Sequence, residues 1–453
     1  MVTPSSNLDL VNSPLRLPCG AVLRNRICKS AMTELLADDL NRSTRELERL
    51  YEAWSLNGKG CGLLMSGNIQ VDRRYMEQPG NVAIDGPQDA EQLKRLKRLA
   101  AAGTSEGRTH FWAQISHAGR QQNTLVCLQG VGPSAIAYGN RDPLNTVVAP
   151  RALKEHEIKE IVRKFVHAAK VCKDCGFTGV QIHGAHGYLV SSFLNPRANH
   201  REDAYGGSAS KRAAFLFEII DAIRRQVGSD FPIGVKMNSA DFQKGGFSLE
   251  EACEVAQELD KVVDLLEISG GNYENPAMMG GGKYMQKLTT GESTVVREAY
   301  FLEMAEHVAK VIKRTKLMVT GGFRSISIMG HAIRSSAAHV VGIGRPLCVQ
   351  PQCVHRLLDG GITRLPDYEN SLTLPFYARW ATIFSIGRLF RFGAQQAYYY
   401  YNMAEIASGK DDDAGDRKAK SLISAFFWHK TLGKSQAASL KGLNCVGTVL
   451  NKE

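Results

Sequence analysis

Short apolar runs recur along the first three quarters of the chain, separated by longer stretches whose apolar positions repeat with helical spacing. Eight of the short runs read as buried strands: Arg24 to Ser30, Gly62 to Ser66, His110 to Ile115, Gly179 to His183, Ile233 to Asn238, Leu265 to Ser269, Leu317 to Thr320 and Val340 to Ile343. Between them, stretches such as Leu153 to Asp174 and Lys211 to Val227 read as amphipathic helices. Alternating strands and helices indicate βα units and a parallel sheet, and eight such units predict an α/β fold of the closed (β/α)₈ TIM-barrel type. A doubly wound open sheet would typically begin with a G-x-G-x-x-G turn, and nothing of that form follows Ser30.

Beyond Gly361 the pattern changes. Pro375 to Ala404 is rich in aromatics, including Tyr398-Tyr399-Tyr400-Tyr401, and Lys410-Asp411-Asp412-Asp413 reads as an exposed turn or linker. The expected organisation is a barrel over 1–360 and a mostly helical extension over 361–453 that packs on it, with the extension's role left open. The segment Gln121 to Pro150, rich in Gly, Pro and Asn, suits either a lid over the barrel mouth or a surface loop without function.

Composition narrows the class without naming a function. Of 453 residues, 43% are hydrophobic and 22% charged, ordinary for a globular protein. No apolar run approaches the roughly 20 residues needed to cross a bilayer. Met1 to Leu10 lacks the basic and apolar segments of a secretory signal, so a cytoplasmic location is expected. Ten cysteines without dense, regular spacing fit a reducing compartment. Cys172 and Cys175 form a C-x-x-C pair, but a zinc site would need two more ligands, and two thiols near a helix end is the plainer reading. The net charge of +11 is spread through helices and not gathered in a long basic run, which favours an anionic small ligand such as a phosphorylated cofactor over nucleic acid.

In a barrel the chemistry sits just after the strands. Val319-Thr320-Gly321-Gly322-Phe323-Arg324-Ser325 and Val341-Gly342-Ile343-Gly344-Arg345-Pro346 sit at the ends of strands seven and eight, where barrels often hold a phosphate, and Arg345 can add a charge-assisted hydrogen bond. Gln114 offers a donor and an acceptor, and Lys236 a cation, for a flat polar redox ring; alternatively Lys236 pairs with a carboxylate such as Asp241. His183, His186 and Tyr188 fall within six residues at the end of strand four, so that they suit carbonyl binding and proton delivery. The plainer alternative is a hydrogen-bonded histidine pair beside a packing tyrosine. Metal binding fits less well, since His-x-x-His at a strand end lacks the helical spacing and acidic partner of a zincin.

Taken together, Asn25-Arg26-Ile27 with Ala31-Met32-Thr33, Gln114 with His117-Ala118-Gly119-Arg120, the run His183 to Gly207, Val235 to Asp241 and the late glycine turns resemble the Old Yellow Enzyme family of FMN-dependent NADH:flavin oxidoreductases over about residues 8 to 360. The resemblance implies FMN at the mouth of a single barrel and NADH or NADPH as hydride donor. Ala31, Met32 and Thr33 would lie along the flavin, Gly67 and Gln114 would contact it, and Lys236 would face its pyrimidine edge. Ser269 and Gly270 would approach the ribityl chain, while Gly321, Gly322, Gly344 and Arg345 would bind the phosphate. His183 and His186 match the pair that grips a substrate oxygen, and Tyr188 matches the proton donor. Asn195 to Gly207 would serve as scaffold, through an ion-pair network of Arg197, Arg201 and Asp203.

The chain departs from the family in three respects. Ala31 stands where proline is common, and Lys236 where many members have arginine, so the charge is kept but the bidentate fork is lost. Only Cys348 and Cys353 occur where the iron–sulfur branch clusters its cysteines, so no cluster is expected. The reaction implied is reduction of the C=C bond of an α,β-unsaturated carbonyl compound, or of another small-molecule acceptor. Two alternatives remain: an FMN barrel oxidase of another substrate class, such as α-hydroxy acids, and a barrel that binds flavin or a partner without turnover.

Overall fold

The computed structural model describes residues 6–137, 148–241, 244–269, 304–368 and 385–409, with the backbone alone over 385–392. Eight strands close into a barrel: β1 (Ile27–Lys29), β2 (Leu63–Gln70), β3 (His110–Ser116), β4 (Gly179–Gly184), β5 (Ile233–Asn238), β6 (Leu265–Ser269), β7 (Lys316–Thr320) and β8 (Val340–Ile343). All eight neighbouring pairs are parallel, and β8 pairs back onto β1 through Val341 and Ile27. This is the expected (β/α)₈ barrel. β5, β6 and β8 coincide with the predicted spans. β1 is shorter than predicted because Arg24 to Arg26 anchor the chain elsewhere: Asn25 Nδ2 donates to Gly60 O at 3.0 Å, and Arg26 N to Val11 O at 2.8 Å. β2 runs past Ser66 to Gln70 because a register shift between Met65 and Asn68 absorbs the irregularity.

The outer layer contains α1 (Arg45–Ser55), α2 (Ala90–Thr104), α3 (Glu155–Asp174), α4 (Ala209–Val227), α5 (Leu249–Leu259), α6 over 304–311, α7 (Ile326–Arg334) and α8 (Cys353–Leu358). Local chemistry sets their starts. Thr44, Asp89, Ser208 and Ser248 each accept a backbone N–H from the first turn of the helix they cap. α4 therefore begins two residues before the predicted Lys211. None of the described helices is long and apolar enough to cross a membrane. Cys172 and Cys175 are buried at the end of α3, and burial raises both thiols.

Strand periodicity sorts side chains into two cores. Phe111, Ala113 and Ile115 of β3 point outward into the helix layer, while Trp112 points into the barrel with Leu63, Met65, Leu265, Met318 and Val340. Leu15, Leu17 and Leu23, from a short antiparallel hairpin, close the bottom of this inner core. Gly179 makes room for the indole, since a Cβ there would sit 2.6 Å from Trp112 Nε1. Toward the strand C-termini the inward positions turn polar. Gln114 Nε2 donates to Gln181 Oε1 (2.5 Å), Gln181 Nε2 to Glu267 Oε2 (2.8 Å), and Thr320 Oγ1 to Glu267 Oε1 (2.8 Å). Ser30 and Thr320 share a further bond of 2.9 Å. An apolar plug below and a polar layer above direct the barrel's chemistry to one end.

Histidines that folding shields from water make stability pH-dependent, among them the buried His117 and the half-buried His339. Burial holds His117 and His339 down to about 4, from an ordinary value of 6.5. Below about pH 6.5 the unfolded chain takes up protons that the folded one refuses, so stability present above that pH is lost as pH falls toward 4, by about 1.4 kcal/mol per unit per ring at most. Urea midpoints between pH 7 and 4 test this. His339→Asn, whose Oδ1 would still accept the Leu317 N–H taken by His339 Nδ1 at 3.1 Å, is expected to flatten the slope.

Candidate active site

A cavity of about 340 Å³ opens at the C-terminal mouth of the barrel, within the roughly 300–1,000 Å³ of small-molecule sites. Of the residues singled out from sequence, Ala31, Met32, Thr33, Gln114, His183, His186, Tyr188, Lys236, Ser269, Gly321, Gly322, Gly344 and Arg345 all line it. Two do not join them. Gly270 lies outside the described residues. Gly67 stands behind the wall: its N–H donates to Glu34 Oε1 (2.8 Å) and Tyr51 Oη (3.1 Å), and a Cβ there would sit 2.5 Å from Met32 O. The irregular stretch of β2 turns it against the segment after β1 instead of into the opening.

One wall carries three rings. His183 meets His186 edge-on at 5.1 Å between centroids, and Tyr188 edge-on at 4.7 Å. Burial, with the Lys236 charge nearby, pushes both imidazoles well below the usual histidine range, so both are neutral at ordinary pH. His183 Nδ1 accepts the Ala185 N–H at 3.2 Å, which leaves Nε2 to carry that ring's proton. His186 Nε2 bonds Ser269 Oγ at 2.8 Å, and its backbone is left-handed at φ 64°, a strained conformation for a residue with a side chain. Gln121 Nε2 holds that turn by donating to His186 O at 2.5 Å.

Lys236 pairs with Glu267 at 3.1 Å, not with Asp241, whose carboxylate accepts from Asn238 Nδ2 at 2.7 Å. Of the expected scaffold network, Arg201 and Asp203 do pair, but Arg197 instead donates to Lys244 O at 3.0 Å. At the opposite end of the cavity Gly321 and Gly322 take positive φ of 139° and 76°, and Arg324 and Arg345 bring two guanidinium groups. Cys348 is buried there with its Sγ 3.3 Å from Met32 Sδ, its thiol pushed up to about 12 by burial.

The cavity also contains residues that the sequence reading did not assign. Glu77 and Asn68 come from β2 and the loop after it, and Arg324 from the loop after β7. The largest addition is α9 (Ser385–Ala407), which packs against α1 and the short helix Arg345–Val349 and lines the cavity with Gln395, Gln396, Tyr399, Tyr400 and Met403. The spacing of 395, 399 and 403 is one helical face, a signal present in the sequence.

Residues 13–362 match the sequence model of the NADH:flavin oxidoreductase / NADH oxidase family. The chain belongs to this Old Yellow Enzyme family. It is 35% identical over 351 residues to the NADH-dependent flavin oxidoreductase iliE of Hypocrea jecorina, covering 75% of this chain and 86% of that protein. An NADH oxidase of Thermoanaerobacter brockii is 34% identical over 344 residues, covering 75% of this chain and 49% of that one. In fold the chain resembles the old yellow enzyme homologue from Zymomonas mobilis, with a TM-score of 0.64 and 21% identity over 81% of this chain and 97% of that one. Morphinone reductase gives a TM-score of 0.63 and 23% identity over 79% and 92%.

Old Yellow Enzyme family members are oxidoreductases that bind FMN and draw electrons from NADH or NADPH. The cavity fits that cofactor: two guanidinium groups and a pair of positive-φ glycines at one end suit a phosphate, and a lysine with a primary amide suits the heteroatom edge of a flat ring.

Proposed function

We propose that this enzyme reduces the C=C bond of α,β-unsaturated carbonyl compounds. The observation that carries the reading is the convergence of His183, His186 and Tyr188 on one wall, with both imidazoles neutral. When bound, FMN supplies the two-electron step, taking hydride from NAD(P)H and giving it to the acceptor. Ala31, Met32, Thr33, Gln114 and Lys236 would hold its ring, and Gly321, Gly322, Gly344, Arg324 and Arg345 its phosphate. The acceptor's carbonyl oxygen takes a hydrogen bond from His183 Nε2–H. His186 supplies a second donor when the Ser269 hydroxyl donates to its Nε2 and the ring proton sits on Nδ1. Such donors stabilise charge that grows on the oxygen as hydride arrives at Cβ. Tyr188, protonated at neutral pH, then protonates Cα.

An α-hydroxy acid oxidase would need a free base beside the substrate and a cation for its carboxylate; in the arrangement described the imidazole lone pairs are taken by the Ala185 N–H and the Ser269 hydroxyl, and Lys236, Arg324 and Arg345 are assigned to the flavin. We assign α9 to the roof of the same cavity, which gives the extension over 361–453 a part in the site. The test is visible. The purified protein is expected to be yellow, to bleach under anaerobic NADH or NADPH, and to regain colour with cyclohexenone. A bleached protein that oxygen recolours and cyclohexenone does not would overturn the reading.

A further inference from the structure

The two imidazoles are held by different means. His183 belongs to β4 and is fixed by the barrel ladder, whereas His186 lies beyond the strand end in a left-handed turn, φ 64°. A residue with a side chain keeps that conformation only where its neighbours over-determine it. Here both backbone groups of His186 are taken by side chains from the strands that flank β4. On the β5 side its N–H donates to Asn238 Oδ1 at 3.2 Å, and Asp241 fixes that amide by accepting from Asn238 Nδ2 at 2.7 Å. On the β3 side its carbonyl accepts from Gln121 Nε2 at 2.5 Å.

Gln121 closes the short turn Gly119–Gln121 that follows β3, and this turn is pressed against the chain just after His186. The Leu189 N–H donates to His117 O at 3.0 Å, and a Cβ on Gly119 would sit 2.9 Å from Leu189 Cα. Gly119 also takes a positive φ of 61°, which swings the chain so that the next residues meet the His186 turn. The run from His117 to Gln121 thereby gains a purpose: it carries one amide to one carbonyl. Gln121 is not part of the cavity lining, so its influence on a bound molecule passes through His186.

We propose that Gln121 is a positioning residue for the acceptor's carbonyl oxygen. By holding the His186 carbonyl it keeps the strained turn in place, seats the ring against Ser269 Oγ, 2.8 Å from Nε2, and so keeps the Nδ1 proton available as the second donor. The inference rests on the proposed donor role of His186. Without the Gln121 bond the turn can relax, and a displacement of about 1 Å at a donor is enough to cost about 10²-fold in rate. The start of the segment Gln121 to Pro150 thus belongs to substrate recognition.

The test is a double-mutant cycle on enone-driven reoxidation of the holoenzyme, read together with the ¹⁵N signals of the His186 ring. Gln121→Met keeps the length of the side chain and loses the donor; it is expected to slow reoxidation about 10- to 100-fold. His186→Ala is expected to slow it about 10²-fold. With His186 already replaced, Gln121→Met should cost less than about twofold more, because the ring it positions is gone. In the wild type the ring signals should show a neutral imidazole protonated on Nδ1, and in Gln121→Met a mixture of tautomers. A Gln121→Met enzyme with the wild-type rate would overturn the proposal, as would a full additional cost in the double variant or unchanged ring signals in a slowed Gln121→Met enzyme. His186→Ala separates the two ideas: if it leaves reoxidation unslowed, the donor assignment itself has failed; if it slows reoxidation while the two effects simply add, only the positioning role has.

Discussion

Tyr188→Phe is expected to slow reoxidation of the reduced enzyme by an enone about 10²- to 10⁴-fold, the usual contribution of a positioned general acid. Bleaching by NADH should change by less than about threefold, because no proton is delivered to carbon in that half-reaction. The contrast is the informative part. Tyr188 is 3% exposed and packs edge-on against His183, so loss of a hydroxyl leaves the ring in place and the wall intact. Rapid-mixing measurement of each half-reaction checks the split, and equal slowing of both would mean that the substitution had disturbed the pocket as a whole.

Joint replacement of Arg324 and Arg345 by Ala is expected to weaken FMN retention by about 10²- to 10⁴-fold. Two charge-assisted hydrogen bonds to phosphate contribute about 1.5–3 kcal/mol each. A phosphate-binding role leaves the ring contacts untouched. Both side chains line the end of the cavity where Gly321, Gly322 and Gly344 leave the backbone without side chains, far along the wall from the histidine pair. Titration of the cofactor-stripped protein should therefore show a large loss for FMN and little for riboflavin, which has the same ring and no phosphate. An equal loss for both would place the two arginines in the fold and not in phosphate binding.

Much of this site was legible before any coordinates, and for a physical reason. Barrel strands are short, buried on both faces and followed by loops that must carry the chemistry, so finding the strands locates His183, Lys236, Gly321 and Arg345 together. What sequence missed depends on contacts between distant segments. Glu77 follows β2 on an irregular loop, and nothing local announces that it will line the cavity and accept from Thr33, on the segment after β1. The carboxylate beside Lys236 was hidden for a similar reason: Asp241, the example offered for the alternative reading, is near in sequence, but β5 and β6 pair in register, setting Lys236 beside Glu267. Gly67 was assigned through the resemblance, and the apolar pattern does not show the register shift that sets its N–H against Glu34 and Tyr51. α9 shows the opposite case, a helical stripe of Gln395, Tyr399 and Met403 that was readable but had no visible partner until the barrel mouth was closed.

The proposed reaction delivers hydride to Cβ of an activated alkene whose oxygen is held by His183 and His186 and whose Cα is protonated from Tyr188. Isotope tracing tests it most directly. Cyclohexenone is reduced in ordinary water with nicotinamide cofactor deuterated at the transferable position, and the product is read by NMR. The expected product is cyclohexanone with deuterium at Cβ and ordinary hydrogen at Cα; deuterium on the carbonyl carbon of an alcohol, or cofactor consumed with the enone untouched, would rule this reaction out.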